Sequence, residues 1–139
     1  MPHRILMQVR VLVPLLAAML GGCAVLDFLP DWSADRVAGP EPAYRFIVAG
    51  RIGQIVGREG VVGTLQISGV RRVDSLKGAA WLVCVQTENF PLPRYYAVFI
   101  QREQIVDSRL SVLIDQCELQ PFERFDWNAE ANNPPPPAR

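Results

Sequence analysis

A run of twelve apolar residues near the N-terminus constrains this chain most, because it decides which part of the sequence folds. The run covers residues 11–22 and follows a short head that carries Arg4 and Arg10. A transmembrane helix needs about 20 apolar residues to cross about 30 Å of hydrocarbon, so this run is too short to span a membrane. A basic head before a short apolar run is typical of an export signal peptide, with an uncleaved anchor helix as the alternative. We therefore expect residues 1–22 to be removed, which leaves 117 of the 139 residues to form one modest domain.

The run ends in Leu20, Gly21, Gly22 and Cys23, and this sequence resembles the lipobox of bacterial lipoprotein signal peptides. The resemblance implies cleavage after Gly22 and a diacylglyceryl group on the Cys23 sulfur, usually with a further acyl chain on its amine. Two or more acyl chains anchor a protein stably, so membrane lipid is the first expected partner. Ala24 follows in place of the aspartate associated with inner-membrane retention. The resemblance therefore favours the outer membrane, with the domain facing the periplasm.

The cysteine count agrees with export. The chain has three cysteines, and assigning Cys23 to lipid leaves Cys84 and Cys117 as an even pair. In an oxidising envelope compartment such a pair predicts a disulfide. No Cys-x-x-Cys motif is present, so we interpret the bond as structural.

Histidine and charge narrow the possible chemistry. The only histidine, His3, lies in the signal segment, so the mature chain would lack the usual general base and the commonest metal ligand. Loss of Arg4 and Arg10 leaves 12 basic and 14 acidic side chains, so the mature chain lacks the excess of positive charge that is typical of nucleic-acid-binding proteins. We expect no catalytic residue, no metal, no cofactor and no nucleic-acid partner.

The chain after the signal divides into three parts by composition. Residues 23–40 mix aromatic residues, prolines and aspartates without a period, which indicates a lipidated N-terminus and a tether. Residues 41–126 carry regular hydrophobic patterns, and residues 127–139 are polar and proline-rich, for which we expect a disordered tail. Apolar residues recur at three- and four-residue steps from Glu41 to Val56, which predicts one amphipathic helix with Gly57 just past its end.

Four segments after this helix have the pattern of strands. They are residues 64–73, with Gly69 as a candidate bulge, 80–86, 95–101 and 105–114. The last would place Val106, Leu110, Val112 and Ile114 on one face. Because the connections are short, the predicted fold class is α+β: one N-terminal amphipathic helix packed on a four-stranded antiparallel meander, with one disulfide.

Side chains on the predicted sheet are the remaining candidates for a site. The carboxylates are scattered and no spacing selects a catalytic pair, so most are interpreted as solvated faces or turns. Trp81, Tyr95, Asp107 and Arg109 are the candidate interaction surface, because one helix covers only one face of a sheet. Burial in the core or plain solvation is the alternative for each of them.

Segments of the domain also resemble a group of small uncharacterised lipoproteins from alphaproteobacteria. The resemblance lies in residues 65–73, 80–84, 96–100, 105–109 and 115–117. It implies location and fold, and no activity. The leading hypothesis is a non-enzymatic envelope lipoprotein that binds or scaffolds another envelope protein. The alternatives are a periplasmic inhibitor of a cell-wall hydrolase, acting through the loop from Glu88 to Arg94, and a small enzyme without histidine.

Overall fold

The structure, a computed structural model, describes residues 36–57, 63–88 and 92–136. The predicted signal segment, the predicted cleavage site at Leu20, Gly21 and Gly22, the predicted lipidation site Cys23 and most of the predicted tether lie outside these residues. Part of the loop proposed for the inhibitor also lies outside them. Within the described ranges, no helix is long and apolar enough to span a bilayer.

An antiparallel sheet forms the centre of the domain, and it has six strands where the sequence pattern predicts four. The strands are β1 (Leu65–Ser68), β2 (Arg71–Ser75), β3 (Gly78–Thr87), β4 (Arg94–Gln101), β5 (Gln104–Leu110) and β6 (Phe122–Arg124). Their order is β5-β4-β3-β1-β6, and β2 also pairs with β3. The predicted meander is present in β3, β4 and β5, whereas β6 returns along the far edge of β1.

The first predicted strand is divided at Gly69. Ile67 pairs with Val85 and Arg71 with Leu82, so three residues of the β1–β2 segment face two of β3 and one is extra. The Ser68 hydroxyl accepts a hydrogen bond from the Cys84 backbone N–H at 2.9 Å, which satisfies that donor where the ladder is interrupted. The extra residue behaves as a bulge, as the sequence suggested for this position.

The last predicted strand is too long, because the chain leaves the sheet after Leu110. Leu110, Val112 and Ile114, which were predicted to share one sheet face, are exposed, and so is Leu113. Leu113–Asp115 and Cys117–Leu119 form two short 3-10 helices, η1 and η2. The connection from β4 to β5 is a two-residue turn without glycine, in which Arg102 and Glu103 both have positive φ, as in hairpin turns that match the strand twist.

Two short helices replace the single predicted helix: α1 (Tyr44–Ala49) and α2 (Ile52–Ile55). The break follows Gly50, a residue that disfavours helix interiors. The predicted apolar face is nevertheless the one that packs on the sheet. Val48, Ile52 and Ile55 are buried against strand residues such as Val83 and Val98.

A helix, α3 (Trp127–Ala131), lies where the amino-acid composition predicts the start of a disordered tail. Asp126 caps it, because its side chain accepts a hydrogen bond from the Ala129 N–H. Arg45 on α1 donates to Glu130 at 2.7 Å. Burial opposes the charge on Arg45, but the hydrogen bond and the Glu130 carboxylate outweigh it and raise the pKa of the guanidinium. The ordered domain therefore extends past residue 126.

Candidate functional site

The two faces of the sheet are covered differently. The helices cover the first face, where the larger core lies. The second face carries a smaller cluster, formed by Ala80, Leu82, Cys84, Ala97 and Phe99 together with Cys117. We call this second face the disulfide face. Because four of these six residues are alanine or cysteine, the face is shallow and leaves room above it.

An irregular segment, residues 111–119, crosses the disulfide face. The Cys84–Cys117 disulfide ties it to the centre of β3, with 5.5 Å between the two Cα atoms. Both cysteines are buried, which agrees with a structural bond. The predicted pairing is thus present, and it explains why the chain leaves β5 after Leu110: residue 117 must reach a strand two positions away in the sheet.

Asp115 fixes the position of this segment over the sheet. Its carboxylate takes a two-point hydrogen bond from Arg109, with 2.5 Å from Nη1 to Oδ2 and 2.9 Å from Nη2 to Oδ1. Oδ2 also accepts from the Val112 N–H at 2.9 Å. Asp115 is only 4% exposed, so a buried carboxylate is satisfied by a fork-shaped partner that matches its geometry.

Arg71 on β2 ties the same segment from the other side of the face. Its Nη2 donates to the Asp115 backbone carbonyl. Its Nε is buried and has no hydrogen-bond partner among the described residues. The guanidinium of Arg109 in turn lies over the Phe99 ring, with 5.0 Å from Cζ to the ring centroid. Two arginines on different strands thus hold one turn of chain above an apolar floor.

An open groove remains beside the crossing segment. It has a volume of about 470 Å³, and its floor is formed by Val73, Leu82 and Phe99. Leu76 on the β2–β3 turn is fully exposed at one side, and Ile114 on η1 is 82% exposed at the other. Lys77 is held beside Leu76 by a hydrogen bond to the Val106 carbonyl. We call this depression the apolar groove.

The predicted surface residues do not form one site. Asp107 and Arg109 line the apolar groove, with 3.8 Å from Arg109 Nε to Asp107 Oδ2. Tyr95 packs with the cluster of the same face but against the Phe122 ring, where the centroids are 5.7 Å apart. Trp81 packs with the helix-side core, and its Nε1 donates to the Gly39 carbonyl. The structure therefore brings only the two charged candidates together at the groove.

Sequence reasoning missed four residues of the site: Arg71, Leu76, Ile114 and Asp115. Leu76 could have been noticed, because a leucine at the tip of a predicted turn has no core to enter. Asp115 stands two residues before a cysteine expected in a disulfide, which predicts proximity to the sheet but no particular partner. Nothing in the pattern of Arg71 distinguishes it from a solvated strand residue.

The arrangement of side chains at the apolar groove suits the binding of another molecule at the surface. It offers an apolar floor, projecting leucine and isoleucine side chains, and charges fixed at the rim. Across residues 36–57, 63–88 and 92–136, no group of three His, Cys, Asp or Glu side chains is placed to hold a metal ion. Comparison with protein-family models, with characterised proteins and with solved structures finds no match to this chain.

Proposed function

We propose that this protein is a non-enzymatic envelope lipoprotein whose domain binds another envelope protein through the apolar groove. Cys23 carries the lipid, and the domain faces the periplasm from the outer membrane. The observation that carries the binding role is the pair of exposed side chains, Leu76 and Ile114, on either side of an open apolar floor. Exposed apolar patches on a small domain mark interaction surfaces.

The shape of the groove favours a protein partner over a small molecule. A small-molecule pocket surrounds its ligand with apolar side chains and buries most of it. Here Leu76 and Ile114 project away from the domain, where they are placed to insert into a facing surface. The Arg109–Asp115 pair holds the segment that carries Ile114, so the rim is ordered before a partner arrives.

The disulfide agrees with the proposed extracytoplasmic location. Cys84 and Cys117 are bonded, and such bonds persist in oxidising compartments and are rare in the cytosol. The bond is compatible with an extracytoplasmic location, and the lipobox resemblance adds the membrane anchor to this proposal.

Photocrosslinking in intact cells tests the binding role. A photoreactive phenylalanine analogue placed at Ile114 should give a discrete adduct with one envelope protein. The matched control is Leu92, which is 73% exposed and does not line the groove. Equal adducts at both positions, or none at Ile114, would contradict binding through the groove.

A second experiment tests the anchor separately. Metabolic labelling with a radioactive fatty acid should label the wild-type protein and leave Cys23→Ser unlabelled and unprocessed. Label retained by Cys23→Ser would place the lipid elsewhere. An unlabelled wild-type protein would remove the lipoprotein proposal without affecting the groove.

A further inference from the structure

Within the part of the chain that the structure describes, strand β5 is an edge of the sheet. It pairs with β4 on one side and is last in the strand order. The Ser111 N–H donates to the Tyr95 carbonyl at 2.8 Å, and hydrogen-bonded residues alternate along an antiparallel ladder. Asp107 and Arg109 therefore direct their backbone groups towards β4. Ser108 and Leu110, both exposed, direct theirs outwards, which leaves a template for another strand.

The charged side chains of this edge are complementary to those of a second copy that is related to it by a two-fold axis. Asp107 and Arg109 lie on the same sheet face, two residues apart, on either side of Ser108. If a second copy of β5 pairs antiparallel with Ser108 opposite its own counterpart, each Asp107 lies opposite an Arg109. Opposite charges at facing positions stabilise a strand pair, and like charges destabilise it.

The other registers with comparable overlap are less favourable. A shift that places Val106 opposite Ser108 also sets Asp107 against its own counterpart. A shift that centres the pair on Val106 places the contact at the irregularity of the β4–β5 ladder, where Ile100 pairs with Ile105 and Phe99 with Asp107. The ladder is locally disrupted at such a position. In the register centred on Ser108, residues 107–109 of the two copies pair opposite charges along a regular segment, and only the outer Val106–Leu110 pair reaches the irregularity.

The charged groups keep hydrogen-bonding capacity for this pairing, because a guanidinium has five N–H groups and the Asp115 carboxylate accepts from two of them. Hydrogen bonds to Asp115 occupy Nη1 and Nη2 of Arg109, and Nε lies 3.8 Å from Asp107 Oδ2. The Asp107 side chain is 45% exposed. The Val106 carbonyl, which accepts from Lys77, has a second lone pair for the N–H of Leu110 in the facing copy.

We propose that two copies of this chain associate edge to edge through β5, antiparallel, with Ser108 at the two-fold axis. The two sheets then form one continuous sheet. The contact is a single strand pair, which is small for a protein interface, so the dimer forms at high local concentration. Asp107 and Arg109 belong both to this strand pair and to the lining of the apolar groove, whereas Ser108 does not line the groove. Crosslinks at Ser108 and at Ile114 therefore test the dimer and the binding role separately.

Cysteine crosslinking of the full chain in its own membranes tests the register. Cα atoms in a hydrogen-bonded antiparallel pair are about 5.5 Å apart, and disulfides span about 4.4–6.8 Å. Under mild oxidation, Ser108→Cys should give at least about fivefold more homodimer than Leu110→Cys. In this register residue 110 of each copy lies opposite Val106 of the other, so the two introduced cysteines at position 110 are too far apart to bond. Leu92→Cys reports random collision, and the wild type reports any contribution of the native cysteines.

Several outcomes would overturn the proposal. They are a Ser108→Cys signal no higher than that of Leu92→Cys, a stronger dimer with Asp107→Cys, and an adduct whose mass shows a different protein on the edge.

A second pair of variants tests the backbone N–H of residue 108 that points away from β4. Ser108→Pro should be monomeric in sedimentation at a concentration where Ser108→Ala dimerises, because proline lacks the N–H and edge strands tolerate it. Equal association of these two variants at unchanged melting temperature would also contradict the proposal.

Discussion

The ion pair between Arg109 and Asp115 should respond unequally to removal of its two halves. Asp115 is 4% exposed, whereas the Arg109 side chain is 38% exposed. Arg109→Ala leaves a buried carboxylate with one remaining hydrogen bond, from the Val112 N–H. Asp115→Ala leaves a guanidinium that is already partly in water and has Asp107 nearby.

The expected magnitudes follow from this difference in burial. Removing one partner of a buried ion pair costs about 3–5 kcal/mol, and the retained Val112 bond places Arg109→Ala near the lower limit, at about 3 kcal/mol. Asp115→Ala loses three hydrogen bonds, but solvent screens the charge that remains, so we expect about 1–2 kcal/mol. The double variant should cost about 3 kcal/mol, clearly less than the sum, because neither group is then left unpaired.

Urea denaturation at neutral pH with the disulfide intact measures all three free energies of unfolding. Asp107→Ala is the control, since its 3.8 Å contact with Arg109 is solvent-exposed and should change the free energy by less than about 0.5 kcal/mol. Equal costs for the two single variants, or additivity in the double variant, would refute the assignment of Asp115 as a buried anchor of the crossing segment.

Three further predictions concern stability. Reducing the disulfide, which closes a span of 33 residues, should cost about 3–4 kcal/mol in the chain-entropy account, and lower the melting temperature by about 10–15 °C; an unchanged melting curve would count against a structural bond. Gly50→Ala should raise the free energy of unfolding by about 0.5 kcal/mol, because φ is negative and a Cβ finds ordinary contacts. Gly39→Ala should lower it by about 1–2 kcal/mol, because φ is +73° and a Cβ would lie 3.3 Å from Arg102 Cγ; the same sign for both glycine variants would refute this reasoning. Glu130→Ala should cost only about 0.5–1 kcal/mol, since both side chains of its pair with Arg45 are nearly one-third exposed, and a larger loss in thermal denaturation would show that α3 depends on this contact more than its exposure suggests.

The parts of the fold that hydrophobic periodicity controls could be predicted from the sequence. β3 and β4 lie where continuous apolar segments predict them, because strands covered on both faces have few polar residues. The apolar face of α1 and α2 was also predictable from three- and four-residue spacing. The cysteine count predicted the bond between Cys84 and Cys117, which the structure confirms.

The parts that depend on long-range contacts were not predictable. Val112 and Ile114 continue the two-residue spacing of apolar positions in the predicted strand, yet the disulfide and Asp115 hold residues 111–114 across the sheet. The alternation of apolar and polar residues is a local property and carries no information about such long-range contacts. β6 has only three residues, too few for a pattern. The cap at Asp126 is a local signal that the proline-rich composition of the C-terminus obscured.

The candidate site shows the same division. Asp107 and Arg109 could be proposed from sequence because both lie on one side of a predicted strand. Trp81 packs on the helix side of the sheet, and Tyr95 packs on the disulfide face against Phe122, away from the groove. Alternation along one strand says neither which face the helices cover nor which strands meet at a groove. The groove itself needs Leu76 from one turn and Ile114 from another segment, so only the tertiary structure brings its rim together.

Intact mass measurement of the protein extracted from membranes tests the central claim most directly. After alkylation without reduction, the account predicts a chain that begins at Cys23, carries the mass of a diacylglyceryl group, and has no alkylated thiol. Reduction before alkylation should add two alkyl groups, one each at Cys84 and Cys117. A chain that retains Met1, is found in the cytosol and has three alkylated thiols without reduction would contradict the account.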